Sequence, residues 1–223
     1  MSDDHIVKSY DEELHIINDA IVQMGSLTES LLEDSMNAIT KMDKDSVSKI
    51  VESDKKINKF RASIDEQIMT LLVKRSPVAI DLRLAISTLK ISQDLERIGD
   101  LAKGNAKKIL PLPEDDLPPE MLNSMRRLGE AVQKQIKLSL DSYLERSTEK
   151  AIQVVKDDEQ VNDLTKISIK EVLDFLAKDK KNLEFATNLL FVSKNLERAG
   201  DHITRIAENV YYLISGDYPK KNK

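Results

Sequence analysis

The chain has 223 residues, which is enough for one large domain or two small ones. Charged residues make up 33% of it and aromatic residues only 4%, with six glycines, so an all-β fold would lack its usual strand and turn residues. The absence of cysteine excludes disulfide frameworks, zinc–thiolate sites, iron–sulfur clusters and cysteine nucleophiles. A net charge of −5 argues against a dedicated nucleic-acid-binding protein. We therefore expect an all-α protein.

Helical periodicity and chain-breaking residues predict six long helices, near residues 6–41, 44–75, 77–109, 119–145, 148–178 and 181–215. Ser76 is expected to be the N-cap of the third helix and Pro77 its first residue. Four prolines between residues 111 and 119 predict a linker, and Gly216 and Pro219 are expected to end the last helix. Long helices joined by short turns pack as antiparallel bundles.

The segment 1–5 contains two aspartates, and no apolar run follows it, so we expect no secretory signal. No stretch of about 18 apolar residues occurs anywhere, so the sequence predicts no membrane-spanning helix. With the lack of cysteine, these features favour a cytoplasmic location.

The two sides of the proline-rich linker repeat each other. Residues 92–100 (SQDLERIGD) and 193–201 (SKNLERAGD) share Ser, Leu, Glu, Arg, Gly and Asp. Four residues of the earlier helices also recur at a nearly constant offset: Asp54, Asn58, Gly25 and Ser35 have the counterparts Asp158, Asn162, Gly129 and Ser139. The sequence therefore predicts two tandem three-helix bundles, at 1–110 and 120–223, joined by the linker 111–119.

In each repeated motif, apolar residues lie on one face of the helix and a pair of acidic residues lies on nearly the opposite face. On the third and sixth helices, the core-facing stripe is formed by Ile91, Leu95, Ile98, Ala102 and Ile109, and by Val192, Leu196, Ala199, Ile203 and Val210. Glu96 and Asp100 lie one turn apart on nearly the opposite face of the third helix. Glu197 and Asp201 do the same on the sixth.

Paired carboxylates at this spacing form an oxygen-rich site for a cation such as Mg²⁺, Mn²⁺, Ca²⁺ or iron. Two carboxylates from one helix are too few for a complete site, so a neighbouring helix must contribute. The expected donors are Asp54 with Asn58 and Asp158 with Asn162, which are also spaced four residues apart. Gly99 and Gly200 lie between the acids and would allow a close approach. The plainer alternative is that these acids are solvated or pair with the adjacent arginines.

A catalytic set is missing from the sequence. Di-iron sites of the ferritin type use Glu-x-x-His on paired helices, whereas the chain has only three histidines, at positions 5, 15 and 202. It also shows no glycine-rich phosphate loop and no nucleophile elbow. His202 has no counterpart in the first repeat and is interpreted as a surface residue. We therefore predict that the protein is not an enzyme.

The motifs LERIGD at 95–100 and LERAGD at 196–201 strongly resemble those of the PhoU family of phosphate-signalling accessory proteins. The segments KRSPVAIDLR at 74–83 and DKKIN at 54–58 are also similar to family motifs, and the resemblance extends from about residue 8 to 216. It implies a fold of two tandem three-helix bundles. It also implies multinuclear metal sites, with iron, zinc or other divalent ions, on Glu96, Asp100, Glu197 and Asp201.

The resemblance further implies regulation of phosphate uptake and of the phosphate-starvation response. The partners it implies are the ATPase subunit of a phosphate ABC transporter and a sensor histidine kinase, so that membrane association would be peripheral and would occur through partners. The protein would act as a negative regulator. A homodimer is one option for its oligomeric state. The alternative function is a metal-free helical adaptor whose acidic faces dock partners electrostatically.

Overall fold

The computed structural model describes residues 3–112, 119–178 and 183–219. These residues form six α-helices and no strand: α1 (Asp3–Lys41), α2 (Ser46–Arg75), α3 (Ala79–Lys107), α4 (Pro119–Leu144), α5 (Thr148–Lys178) and α6 (Leu183–Ser215). The predicted all-α class and all six helices are confirmed. Most of the predicted linker, residues 113–118, lies outside the described residues.

The prediction for Ser76 was wrong. Ser76 adopts the left-handed conformation, with φ of 47°, and its N–H donates to the carbonyl of Leu72, so it ends α2 instead of starting α3. The cause is Pro77, because a proline disfavours the right-handed helical conformation in the residue before it. α3 begins two residues after Pro77, at Ala79.

The other helix ends follow the sequence closely. Gly216, with φ of 87°, follows α6, and its N–H donates to the carbonyl of Tyr212. The turns α1–α2 and α4–α5 are duplicates of each other: Met42 and Arg146 both have φ of 51°. The next residue of each turn, Asp43 or Ser147, donates its N–H to a carbonyl five residues earlier.

The apolar stripes predicted on α3 and α6 are buried, as is a matching set of side chains from the other helices. Within the first repeat α1, α2 and α3 pack against one another, and within the second α4, α5 and α6 do so. The repeats meet along two seams, α1 with α4 and α3 with α6, so that α2 and α5 lie on the outside.

Glycine allows close packing at the α1–α4 seam. A Cβ atom on Gly25 would lie 2.5 Å from Cδ2 of Leu140, and one on Gly129 would lie 2.5 Å from Cε of Met36. The two contacts are equivalent by the internal repeat, so the helices run antiparallel about a local twofold axis. None of the described helices is long and apolar enough to cross a membrane.

Candidate metal centres

The carboxylate group of the first repeat lies between α2 and α3. Asp54 of α2 is only 2% exposed. Its carboxylate faces α3 at Gly99, a position that has no side chain. A Cβ on Gly99 would lie 3.5 Å from Oδ1 of Asp54 and 3.2 Å from Cδ1 of Ile57. Glycine at this position therefore lets the α2 carboxylate approach the motif acids of α3, as the sequence predicts.

A lysine ammonium bridges this first group. Nζ of Lys103 lies 2.6 Å from Oδ2 of Asp54 and 2.6 Å from Oδ1 of Asp100. Burial lowers the pKa of Lys103, but the hydrogen bonds and charges of the two carboxylates outweigh it, so the pKa is raised and the ammonium stays protonated. A positive charge supplied by the chain itself thus lies between two of the predicted metal ligands.

Glu96, the other motif acid, lies beside this bridge. The pKa of Glu96 is raised, mainly by burial. The nearby Arg97 guanidinium opposes the rise, and the charge of Asp100 adds to it. Arg97 is 3.5 Å from the carboxylate of Glu96 and 3.6 Å from that of Asp100, so the pairing with the adjacent arginine considered from the sequence is present here.

The second repeat arranges its acids without a lysine. Thr204 occupies the position that corresponds to Lys103, and its hydroxyl donates to Oδ1 of Asp158 at 3.1 Å. Nδ2 of Asn162 donates to Oδ2 of Asp158 at 3.2 Å, as Asn58 does to Asp54 at 3.4 Å in the first repeat. Asp158 therefore receives only neutral donors from α5 and α6, whereas Asp54 receives an ammonium.

Negative charge accumulates at this second group. Partial burial, followed by the charges of Asp158 and Glu197, raises the pKa of Asp201, and Arg205 and His202 oppose the rise. Glu197 itself pairs with Lys194, on the solvent side of α6. Unlike the first group, the second lacks an internal cation between its α5 and α6 carboxylates.

A buried amide completes the second group. Gln135 of α4 is 1% exposed, and its Nε2 lies 3.3 Å from Oδ1 of Asp158. Its Oε1 has no hydrogen-bond partner and would lie 3.2 Å from a Cβ on Gly200. A buried acceptor without a donor is costly, and a cation is one kind of group that satisfies it.

The donor chemistry of the second group fits a hard cation, because the side chains around Asp158 carry oxygen, and the first group differs by the ammonium of Lys103. Oδ1 of Asp54 and Oε1 of Gln135 are buried acceptors without a partner. Within the described ranges, however, no three acidic or histidine side chains are close enough together to enclose a metal ion. Coordination would therefore require the motif acids to change rotamer toward Asp54 or Asp158.

The structure corrects the interpretation of His202. Its side chain is 13% exposed, and Nδ1 lies 2.7 Å from Oδ1 of Asp94 on α3, so it is a contact across the α3–α6 seam and not a surface residue. The sequence reasoning failed because a partner 108 residues away leaves no local pattern. Gln135 was missed for the same reason, whereas Lys103 could have been found from its spacing three residues after Asp100.

The fold and these groups define a class: a protein of two three-helix repeats, each with oxygen donors held between its second and third helices. Comparison with known proteins agrees. The PhoU domain description matches the chain twice, at residues 21–109 and 125–210. The chain belongs to the PhoU family, and the predicted tandem repeat is confirmed.

Named relatives extend over nearly the whole chain. It is 35% identical over 220 residues to the phosphate-specific transport system accessory protein PhoU homolog of Rhizobium meliloti, with 99% of this chain and 93% of the relative covered. It is 37% identical over 214 residues to the homolog of Caulobacter vibrioides, with 96% and 93% covered.

Solved structures give the same result. The crystal structure of PhoU from Pseudomonas aeruginosa matches with a TM-score of 0.89 at 33% identity, covering 93% of this chain and 100% of that one. The phosphate transport system regulatory protein PhoU from Streptococcus pneumoniae matches with a TM-score of 0.86 at 29% identity, covering 95% and 100%. The family is one of accessory regulatory proteins, and the prediction that this chain is not an enzyme is confirmed.

Proposed function

We propose that this protein is a cytoplasmic negative regulator of phosphate uptake and of the phosphate-starvation response. It would link the ATPase subunit of a phosphate ABC transporter to a sensor histidine kinase and approach the membrane only through these partners. The observation that carries the proposal is the alignment of 99% of the chain with a protein named as a phosphate-specific transport system accessory protein.

A genetic experiment tests the regulatory role. The gene is deleted in the native host, and a phosphate-starvation reporter is measured at high phosphate. Deletion is expected to switch the reporter on, and the wild-type gene to switch it off again. A reporter that stays silent in the deletion strain would contradict the negative role. Reciprocal pull-downs between the purified protein and the purified ATPase subunit or kinase sensory region test the two partners separately.

We also propose that divalent or iron cations bind at the duplicated carboxylate groups, with iron, zinc, manganese, magnesium and calcium as candidate ions. The second group, around Asp158, Glu197 and Asp201, is expected to bind more tightly. Its Asp158 accepts hydrogen bonds from neutral groups, whereas a cation in the first group must displace the ammonium of Lys103 from Asp54. This expectation rests on the exchange of one side chain between the repeats.

Reciprocal exchange of that side chain tests the metal sites. Purified protein is treated with chelator, and the shift in melting temperature is measured as each metal is added, because a ligand that binds the folded state stabilises it. Lys103→Thr is expected to enlarge the shift, and Thr204→Lys to reduce it. Equal shifts in the wild type, both exchange variants and a variant with Glu96, Asp100, Glu197 and Asp201 replaced by alanine would contradict the assignment.

The alternative without metal makes an opposite prediction for the same sample. If the acidic faces serve only as an electrostatic docking patch, partner binding weakens strongly with salt and is unaffected by chelator. The ion pair of Lys103 with Asp54 and Asp100 favours this alternative for the first repeat. Metal content measured on protein purified without chelator separates the two functions.

A further inference from the structure

A cluster of arginines lies on the α3–α6 seam, between the two carboxylate groups. Five side chains line a cavity of about 330 Å³ there: Arg97, Arg198, Asp201, His202 and Arg205. Three of these side chains are arginines and one is an aspartate, in a chain whose formal net charge is −5. The concentration of cationic groups here is therefore a local feature and does not follow from composition.

The three guanidinium groups make few contacts within the described part of the protein. Among the described residues, Arg198 has no hydrogen-bond or ion-pair partner. Arg97 reaches its two carboxylates only at 3.5 and 3.6 Å, and Arg205 approaches Asp94 at 3.8 Å. Arg97 and Arg205 are more than half exposed, so these pairs contribute little to stability. Most of their N–H donors remain available to a ligand.

The cavity depends on both repeats. Arg97 comes from α3, whereas Arg198 and Arg205 come from α6, which runs antiparallel to α3, so the two motif arginines face the same groove. Asp94 fixes the imidazole of His202 as one wall of the groove through its contact with Nδ1. Guanidinium groups that converge from two helices bind tetrahedral oxyanions well, because each presents a planar fork of donors.

The carboxylate of Asp201 limits which oxyanions can bind in this groove. A carboxylate in an anion site repels an oxyanion that has no proton, but it accepts a hydrogen bond from one that does. Inorganic phosphate keeps a P–OH group throughout the neutral pH range, because HPO4²⁻ still carries one proton, whereas sulfate carries none. We infer that the α3–α6 groove is a phosphoryl-binding site, in which Arg97, Arg198 and Arg205 bind the oxygens and Asp201 selects phosphate over sulfate.

A phosphoryl group has two sources, inorganic phosphate and the terminal phosphoryl group of a nucleotide, and the second loses its last proton at about pH 6. The hydrogen bond to Asp201 therefore favours inorganic phosphate at neutral pH, and ATP tests the second source. Calorimetric titration of the chelator-treated, full-length protein with phosphate, sulfate and ATP at constant ionic strength distinguishes them. Chelator removes the route in which an anion binds to a protein-bound metal. Saturable binding of phosphate or ATP, with sulfate at least about tenfold weaker, is expected. The tighter of the two ligands identifies the source.

Variants assign the binding to the groove. Arg198→Gln is expected to weaken phosphoryl binding by about tenfold or more and to leave the melting temperature in chloride unchanged, since it breaks no contact. Arg126→Gln, which removes an exposed arginine of α4 outside the groove, is the matched control and is expected to bind like the wild type. Asp201→Asn is expected to remove the discrimination against sulfate.

Three results would overturn the inference. The first is the absence of saturable binding of phosphate and ATP up to about 10 mM, which corresponds to a negligible affinity. The second is unchanged affinity in Arg198→Gln. The third is equal binding of phosphate and sulfate by the wild type.

Discussion

At the scale of single residues, one substitution between the repeats changes the electrostatics of a shared motif. Lys103 places an ammonium between Asp54 and Asp100, whereas Thr204 gives Asp158 only a hydroxyl donor. The first group is therefore balanced by its own cation. In the second, burial and then the charges of Asp158 and Glu197 raise the pKa of Asp201. The same acidic motif is thus bridged by an ammonium in one repeat and has only a hydroxyl donor at the corresponding position in the other.

This difference predicts opposite effects of matched substitutions in metal-free protein. Asp201→Asn removes a carboxylate that is repelled by Asp158 and Glu197, so the melting temperature is expected to rise. Asp100→Asn removes a partner of Lys103, and the free energy of unfolding is expected to fall by up to about 1 kcal/mol. Thermal and urea denaturation in the presence of chelator measure both. Shifts of the same sign would show that the two groups are electrostatically alike.

At the scale of helices, close packing at the α1–α4 seam depends on a glycine in each helix. Gly25 faces Leu140, and Gly129 faces Met36, at distances that a Cβ atom could not keep without movement of the facing side chain. Gly104 of α3 is different, because no atom lies within 4 Å of its Cβ position. Glycine therefore has a packing role at the seam and none at position 104.

Leucine at these positions tests the packing. Gly129→Leu is expected to lower the free energy of unfolding by about 1–3 kcal/mol, because the added side chain forces α1 and α4 apart. Gly104→Leu is expected to be neutral or to stabilise the protein by up to about 1 kcal/mol, since leucine favours a helix more than glycine. Urea denaturation followed by circular dichroism measures both changes. Equal effects of the two substitutions would contradict the proposed role of the seam.

At the scale of the whole molecule, two seams join the repeats about a local twofold axis. α1 packs against α4 and α3 packs against α6, so each repeat covers apolar side chains of the other. The buried residues form one continuous core that includes all six helices. Each repeat therefore leaves part of its core uncovered when it stands alone.

We accordingly expect the two repeats to unfold together. Chelator-treated protein should show a single transition in urea, with the same midpoint by circular dichroism and by tyrosine fluorescence. The fluorescence of Tyr143 is expected to change when the repeats separate, because its hydroxyl in the second repeat donates to Asn18 of the first. Calorimetric and van't Hoff enthalpies should also agree. Two resolved transitions would show that the seams couple the repeats only weakly.

The sequence by itself determined the features that depend on local spacing. The 3.6-residue period placed the apolar stripes of α3 and α6 in the core, and the internal repeat revealed the tandem bundles. The Glu-x-x-x-Asp spacing placed Glu96 beside Asp100, because residues four apart share one face of a helix. Local rules misassigned Ser76 and Pro77, which were expected to start α3 and instead lie between the end of α2 and Ala79.

The tertiary structure decided every contact between residues that are distant in the chain. The register of α2 against α3 places Asp54 within reach of Lys103, and that of α3 against α6 places His202 on Asp94. The same register brings Arg97 and Arg198 to one groove. Periodicity specifies which face of a helix is buried, but side-chain packing fixes how far each helix slides along its neighbour. The charge balance of the candidate sites depends on that sliding, and so only the folded chain reveals it.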